Sequence, residues 1–193
     1  PPPAFISRHD WWPTDEDQWT GFKASPKKHR AFVQTIQEAV IDAFNEGTAI
    51  PEVIIGYAIT IDYLLWHAWY THDLHKTNAT LLAVGGYGRA ELHLHSDIDL
   101  MILLDKEFND QDKEKLSSFL TFLWDSGLDV GHSVRTVKET VTEAKKDITV
   151  ISSIIEARAL CGNITLFKEL KKATASNKIW NSKKFYLAKK EEM

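Results

Sequence analysis

Leu82-Ala-Val-Gly-Gly-Tyr-Gly-Arg-Ala-Glu-Leu92, followed by His95-Ser-Asp-Ile-Asp-Leu-Met-Ile-Leu103, is the stretch whose reading decides the fold of this chain. Thr80 to Val84 is a short apolar run ending in Gly85-Gly86, which predicts a buried strand entering a tight turn. Asp97 to Leu104 predicts a second strand. Its side-chain period of two sets Asp97 and Asp99 on one face and Ile98 and Leu100 on the other.

Each part of this pattern has a chemical use. Consecutive glycines let the backbone bend sharply and bring its N–H groups close to a phosphate chain. After ten intervening residues, Asp97-x-Asp99 places two carboxylates on one strand face. Their backbones are about 7 Å apart, close enough for both side chains to grip a hard cation. Magnesium, or manganese in its place, is the expected guest. Inside an apolar strand, two uncompensated carboxylates are costly, which also favours a cation. Transfer at phosphorus is achieved mainly by positioning and charge neutralisation, often with two metals, and a third carboxylate would complete such a site. Asp129, between Leu128 and Val130 on an expected strand over 128–134, is the best donor; Asp105 and Asp125 are next.

Outward from this centre, residues 1–25 mix prolines, charges and tryptophans and are expected to form an irregular arm. Helices are predicted over 28–46, with Phe32, Ile36, Ala39, Val40, Ala43 and Phe44 at helical spacing before Gly47, and from Pro51 to about His72. A further helix over 110–125 ends at Gly127, and three more are expected at about 136–146, 148–161 and 164–174. Trp11, Trp12, Trp19, Trp66 and Trp69 are expected to fill a core between helices. The late lysines, Lys168, Lys171, Lys172, Lys178, Lys183, Lys184, Lys189 and Lys190, predict a solvated helix face.

A chain of 193 residues with 44% hydrophobic and 26% charged residues has the composition of a folded domain with a flanking helical layer. No window approaches the roughly 18 apolar residues of a spanning helix, so no membrane is expected. A formal charge of -4 argues against nucleic acid as a partner. The single cysteine, Cys161, suits a reducing cytoplasm. The Pro-Pro-Pro start lacks the pattern of a signal peptide, and the absent initiator Met suggests an excised piece.

The quoted stretch resembles the signature of the polymerase-beta-like nucleotidyltransferase superfamily and, within it, the PII uridylyltransferase/uridylyl-removing enzymes. Trp124-Asp-Ser-Gly-Leu-Asp-Val-Gly-His-Ser-Val-Arg-Thr136 and Asp147-Ile-Thr-Val-Ile-Ser-Ser-Ile-Ile-Glu-Ala-Arg-Ala-Leu160 resemble the same enzymes, so the likeness covers about 80–170. It implies an α+β fold with a short mixed β-sheet and flanking helices. The expected division is a helical segment over 1–78, a nucleotidyltransferase core over 79–146, and a helical segment over 147–193 that begins a longer protein.

Carried across, the resemblance implies that Asp97 and Asp99 are metal ligands, that Gly85 and Gly86 form the nucleotide turn, and that Ser96 assists with phosphate. Asp129 would bind the metal that activates the acceptor hydroxyl. Arg89 is a candidate partner for a triphosphate oxygen, with a salt bridge to the neighbouring Glu91 as the alternative. His132, Ser133 and Arg135 share that ambiguity. His93 and His95 lack the further ligands a zinc site needs.

The implied reaction is attack by a tyrosine hydroxyl of a PII-type signal protein on the α-phosphorus of UTP, with pyrophosphate leaving. A protein or small-molecule adenylyltransferase, or a nucleotide-binding regulatory module without turnover, are the alternatives. Glutamine synthetase adenylyltransferase shares the Gly-Gly and Asp-x-Asp elements, but the Gly-Tyr-Gly-Arg run looks less like it. After residue 95 only His132 remains as a histidine, so these residues are expected neither to remove a nucleotidyl group hydrolytically nor to sense glutamine.

Overall fold

Helical periodicity before residue 78 and the strand–turn–strand pattern after it lead to two compact units. The computed structural model describes residues 3–7, 9–10, 12–13, 16–175, 179 and 190. In chain order these form α1 (Ala4–Ser7), α2 (Glu16–Ala24), α3 (Pro26–Asn45), α4 (Ile50–Thr71), a 3-10 turn (Leu74–Lys76), β1 (Ala79–Ala83) and α5 (Gly85–Gly88). They continue with β2 (Ile98–Leu104), α6 (Asp110–Asp125), β3 (Val130–Thr136), α7 (Val137–Ala144), α8 (Ile148–Glu156), β4 (Arg158–Gly162) and α9 (Ile164–Ala173). One unit gathers residues 1–77, 90–98 and 109–131; the other gathers 78–89, 99–108 and 132–193.

The first unit is helical. Pro26 and Pro51 occupy the first turns of α3 and α4, where a missing N–H costs nothing. α3 buries Phe32, Val33, Ile36, Val40 and Ala43 on one stripe, and α4 is apolar almost all round, with Tyr57, Ile61, Leu64, Leu65 and Trp69 buried. In α6, Asn109 caps the start by accepting from the Asp112 N–H at 2.9 Å, and Phe119 meets Trp69 edge-on. The expected irregular arm is instead partly helical, as α1 and α2. Gly21 leaves α2 with weak intrinsic propensity, so packing sustains it. Trp19 is buried, stacked on His67 and edge-on to Phe32, while Phe22 stacks on Phe32. Of the other tryptophans, Trp69 is buried, Trp12 half-buried and Trp66 exposed. Trp11 lies outside the described residues.

A buried and a half-buried histidine add a pH response to this unit. His29 donates its Nδ1–H to Ser126 Oγ at 2.6 Å, because the Ser126 hydroxyl is already donated to Phe122 O. Burial, with a smaller push from His72, lowers the His29 pKa from 6.5 to about 4. The unfolded chain therefore binds a proton near pH 6.5 that the folded chain refuses until about pH 4. The neutral-form stabilisation is complete above 6.5 and is lost as the pH falls through that window. A shift of this size is worth at most about 3 kcal/mol. His67, also lowered to about 4 by burial, gives a slope of the same sign. The urea midpoint is thus expected to fall between pH 7.5 and pH 4.5, and less so in His29→Gln.

The second unit carries most of a four-stranded sheet in the order β3-β2-β1-β4; only Ile98 of β2 and Val130–Gly131 of β3 group with the helical unit. β1 is antiparallel to β2, with Ala79 opposite Leu104 and Ala83 opposite Leu100. It is also antiparallel to β4, with Thr80 opposite Gly162 and Ala83 opposite Arg158. β1 is buried throughout, as a strand paired on both edges and covered by helices must be. Leu82, Val84, Met101 and Leu103 pack with Ala144, Ile151, Ile154, Leu166 and Leu170 into one core.

α7 starts on a capping box in which Thr136 and Glu139 satisfy each other's backbone N–H. The helix expected over 148–161 stops at Glu156, and residues 158–162 are β4. Ala-Arg-Ala-Leu favours a helix locally, but the N–H and C=O groups along the second edge of β1 need partners, and this segment supplies them. The strand expected from Leu128 begins at Val130. Lys168, Lys172 and Lys190 are exposed, whereas Lys171 donates to Ile154 O and Ile155 O and so ties α9 to the end of α8. Lys178, Lys183, Lys184 and Lys189 lie outside the described residues. Among the described residues, no helix is long and apolar enough to cross a membrane.

Candidate active site

The sheet unit supplies a glycine turn and one carboxylate. β1 is followed by Val84, whose N–H donates to Asp99 O at 3.0 Å, so the continuation of the strand ladder brings the turn beside Asp99. The chain then reverses through Gly85 at φ +58, a left-handed conformation that favours glycine, into the single helical turn α5. A Cβ on Gly85 would stand 3.1 Å from Asp99 Oδ2. The missing side chain therefore leaves a bare cradle against the carboxylate.

Behind the turn, Tyr87 is buried and Gly88 sits so close to α8 that a Cβ would lie 2.5 Å from Glu156 O. Arg89, the candidate phosphate partner, forms an ion pair with Glu156 at 3.0 Å. That is a salt bridge, to a partner some seventy residues along the chain. Both partners are over a third exposed, so the pair is worth little on its own.

The other two candidate aspartates, Asp97 and Asp129, belong to the helical unit. Asp97 precedes the first residue of β2 rather than lying within it, and Asp129 precedes β3. The Ile98 N–H donates to Asp129 O at 2.8 Å, which fixes Asp129 alongside Ile98, the residue between Asp97 and Asp99. Ser96 lies in a tight turn closed by its N–H to His93 O at 3.0 Å.

Along β2 the expected alternation holds at its start, with Ile98 and Leu100 buried and Asp99 exposed; from Met101 onward every residue is buried. Asp97 and Asp129 are exposed as well. The desolvation cost expected of these carboxylates therefore does not arise. On β3, His132 is exposed while Ser133 and Arg135 are half-buried.

The donor chemistry fits magnesium. Its usual protein environment is one or two carboxylates with the remaining positions filled by water and substrate phosphates, rather than a closed protein cage. Asp99, exposed beside a glycine turn, matches that description. Among the described residues, no group of three or more His, Cys, Asp or Glu is gathered as a metal cage. Asp105 lies at the far end of β2, accepting from Asn78 Nδ2 at 3.0 Å, about 20 Å of strand from Asp99. Three residues without an assigned role in the sequence shape the turn: Tyr87, Glu156 and Arg158. Their sequence signal is weak, because the contacts cross some seventy residues of chain.

The nucleotidyltransferase domain family matches residues 70–175, from the end of α4 through α9. The chain belongs to this family. It is 42% identical over 172 residues to the bifunctional uridylyltransferase/uridylyl-removing enzyme of Pseudomonas aeruginosa (strain UCBPP-PA14), covering 88% of this chain and 19% of that protein. The enzyme of the same name from Ectopseudomonas mendocina (strain ymp) is 44% identical over 169 residues, 84% of this chain and 18% of its own length. That from Stutzerimonas stutzeri (strain A1501) is 41% identical over 174 residues, 88% and 19%. The chain thus spans about a fifth of the length of the curated relatives it matches.

Proposed function

We propose that this domain transfers UMP from UTP to a tyrosine hydroxyl of a PII-type signal protein in the cytoplasm. The observation that carries the proposal is the bare Gly85 turn held against Asp99, in a chain 42% identical to a uridylyltransferase. In the reaction, the acceptor oxygen forms a bond to the α-phosphorus as the bond to pyrophosphate breaks, and the hydroxyl proton passes to solvent. Asp97, Asp99 and Asp129 would hold magnesium, which when bound offsets the charge developing on the phosphate oxygens. Gly85 and Gly86 admit the triphosphate to close range, Ser96 assists with phosphate, and Arg89 exchanges its exposed partner Glu156 for a triphosphate oxygen.

The test is incubation with labelled UTP or ATP, magnesium and a PII-type protein, read by intact mass of the acceptor. A uridylyl increment is expected. An adenylyl increment would replace the base assignment, and nucleotide binding without any increment would leave a regulatory module. Within this reading, Asp129→Asn is expected to lower turnover more than nucleotide affinity, since a group serving the acceptor acts chiefly beyond ground-state binding. Unchanged rate and affinity would make Asp129 an ordinary residue at a strand edge.

A further inference from the structure

We infer that Arg158 is a positioning residue for nucleotidyl transfer, acting through Tyr87 to set the glycine turn against Asp99. The inference rests on the transferase reading above and adds a residue to it. Arg158 opens β4 directly opposite Ala83, the last residue of β1, so its backbone is locked to the strand that runs into the turn. Its side chain reaches forward from there. The Nη2 donates to Tyr87 O at 3.3 Å, and the guanidinium carbon lies 5.5 Å from the centre of the Tyr87 ring. A planar cation that both bonds the carbonyl and faces the ring fixes the peptide and the side chain of one residue together.

Tyr87 is 2% exposed and stands two residues beyond Gly85. A rotation of the Tyr87 peptide would pass straight into Gly85 and Gly86, which as glycines resist little. The turn has no side chain of its own to hold its shape, and the close approach of Gly85 to Asp99 Oδ2 tolerates little drift. The neighbouring Gly88 and Arg89 are held by Glu156, two residues before Arg158. The join between α8 and β4 therefore grips three consecutive residues of the turn. Glu156 engages the exposed side through an ion pair that a phosphate can displace, whereas Arg158 engages the buried side and stays in place when nucleotide arrives.

The experiment compares Arg158→Met, which keeps the aliphatic stem, with Arg158→Lys, which keeps a donor for Tyr87 O but not the planar face, using this chain, UTP, magnesium and the acceptor protein. Rates are expressed per nucleotide-binding site counted by calorimetric titration, so that a loss of folded protein does not register as a loss of rate. In Arg158→Met, kcat is expected to fall about 100-fold, the cost of a misplacement on the order of 1 Å, while nucleotide Kd changes by less than about threefold. Arg158→Lys is expected to recover about tenfold of that loss.

A merely structural arginine would lower the number of binding sites and leave kcat per site unchanged. That result overturns the inference, as does failure of Arg158→Lys to exceed Arg158→Met. Asp99→Asn, measured alongside, separates the two levels of argument. Full activity in Asp99→Asn, or no transfer by the unaltered chain, defeats the transferase reading and this role with it. Loss in Asp99→Asn beside unchanged kcat in Arg158→Met defeats the role of Arg158 alone.

Discussion

Asp99→Asn is expected to lower transfer by a factor on the order of a thousand while leaving the melting temperature nearly unchanged. The two halves of this result have separate causes. Asp99 is exposed on β2 between buried Ile98 and Leu100, so the strand is held by its neighbours and by the backbone bond from the Val84 N–H, which asparagine keeps. The lost negative charge, by contrast, is the part of the residue that a cation needs. In metal-free buffer the melting temperature is expected to rise slightly, because Asp97 and Asp99 repel one another two residues apart. Asp97→Asn is expected to behave in the same direction. Asp105→Asn serves as the control, since that carboxylate bonds Asn78 at the other end of the strand and its replacement leaves the rate unchanged. Initial rates and thermal melts on the three variants test this directly, and turnover in Asp99→Asn within tenfold of the parent would sink the metal assignment.

The centre of this fold was legible because its signals are local. A run of apolar residues into Gly85-Gly86 and the alternation around Asp97 and Asp99 are written within a few residues of one another, and β1, α5 and β2 follow them. Segments decided by distant partners were not legible. Residues 158–162 carry helix-forming side chains, yet they become β4 because β1 offers an edge that must be paired. α2 holds a glycine and little periodicity, and it is set by Trp19 and Phe22 packing on residues of α3 and α4. The same limit applies at the candidate site. Arg89 was recognisable as a phosphate partner or a salt-bridge former, but only the packing of α8 on α5 brings Glu156 to it. Exposure was also misjudged: two carboxylates in an apolar strand were expected to carry a desolvation cost, whereas Asp97 and Asp99 are exposed and unbroken burial along β2 starts only at Leu100.

Gly88→Ala and Gly85→Ala, three residues apart in one turn, are expected to fail in opposite ways. At Gly88 the new Cβ would meet Glu156 O at 2.5 Å and Ala83 O at 3.1 Å, both backbone atoms, one at the end of α8 and the other at the end of β1. Neither yields without moving its element, so α5 must lift away from the core that holds Leu82, Val84 and Ile154. Overpacking of this kind costs about 3 kcal/mol, a large part of the stability of a domain this size. At Gly85 the closest atom is Oδ2 of Asp99, at 3.1 Å, the end of an exposed side chain rather than backbone. The stability cost there is about 1 to 2 kcal/mol, set by the left-handed φ of +58. The cost in rate is larger: the methyl group fills the cradle and forces the Asp99 carboxylate out of its place, so turnover is expected to drop by about 100-fold. Urea unfolding and rates per folded molecule, measured on both variants, separate the two effects. If Gly85→Ala loses stability as heavily as Gly88→Ala but keeps its rate per folded molecule, the glycine is there only to make the bend, and the approach of the turn to Asp99 has no part in the chemistry.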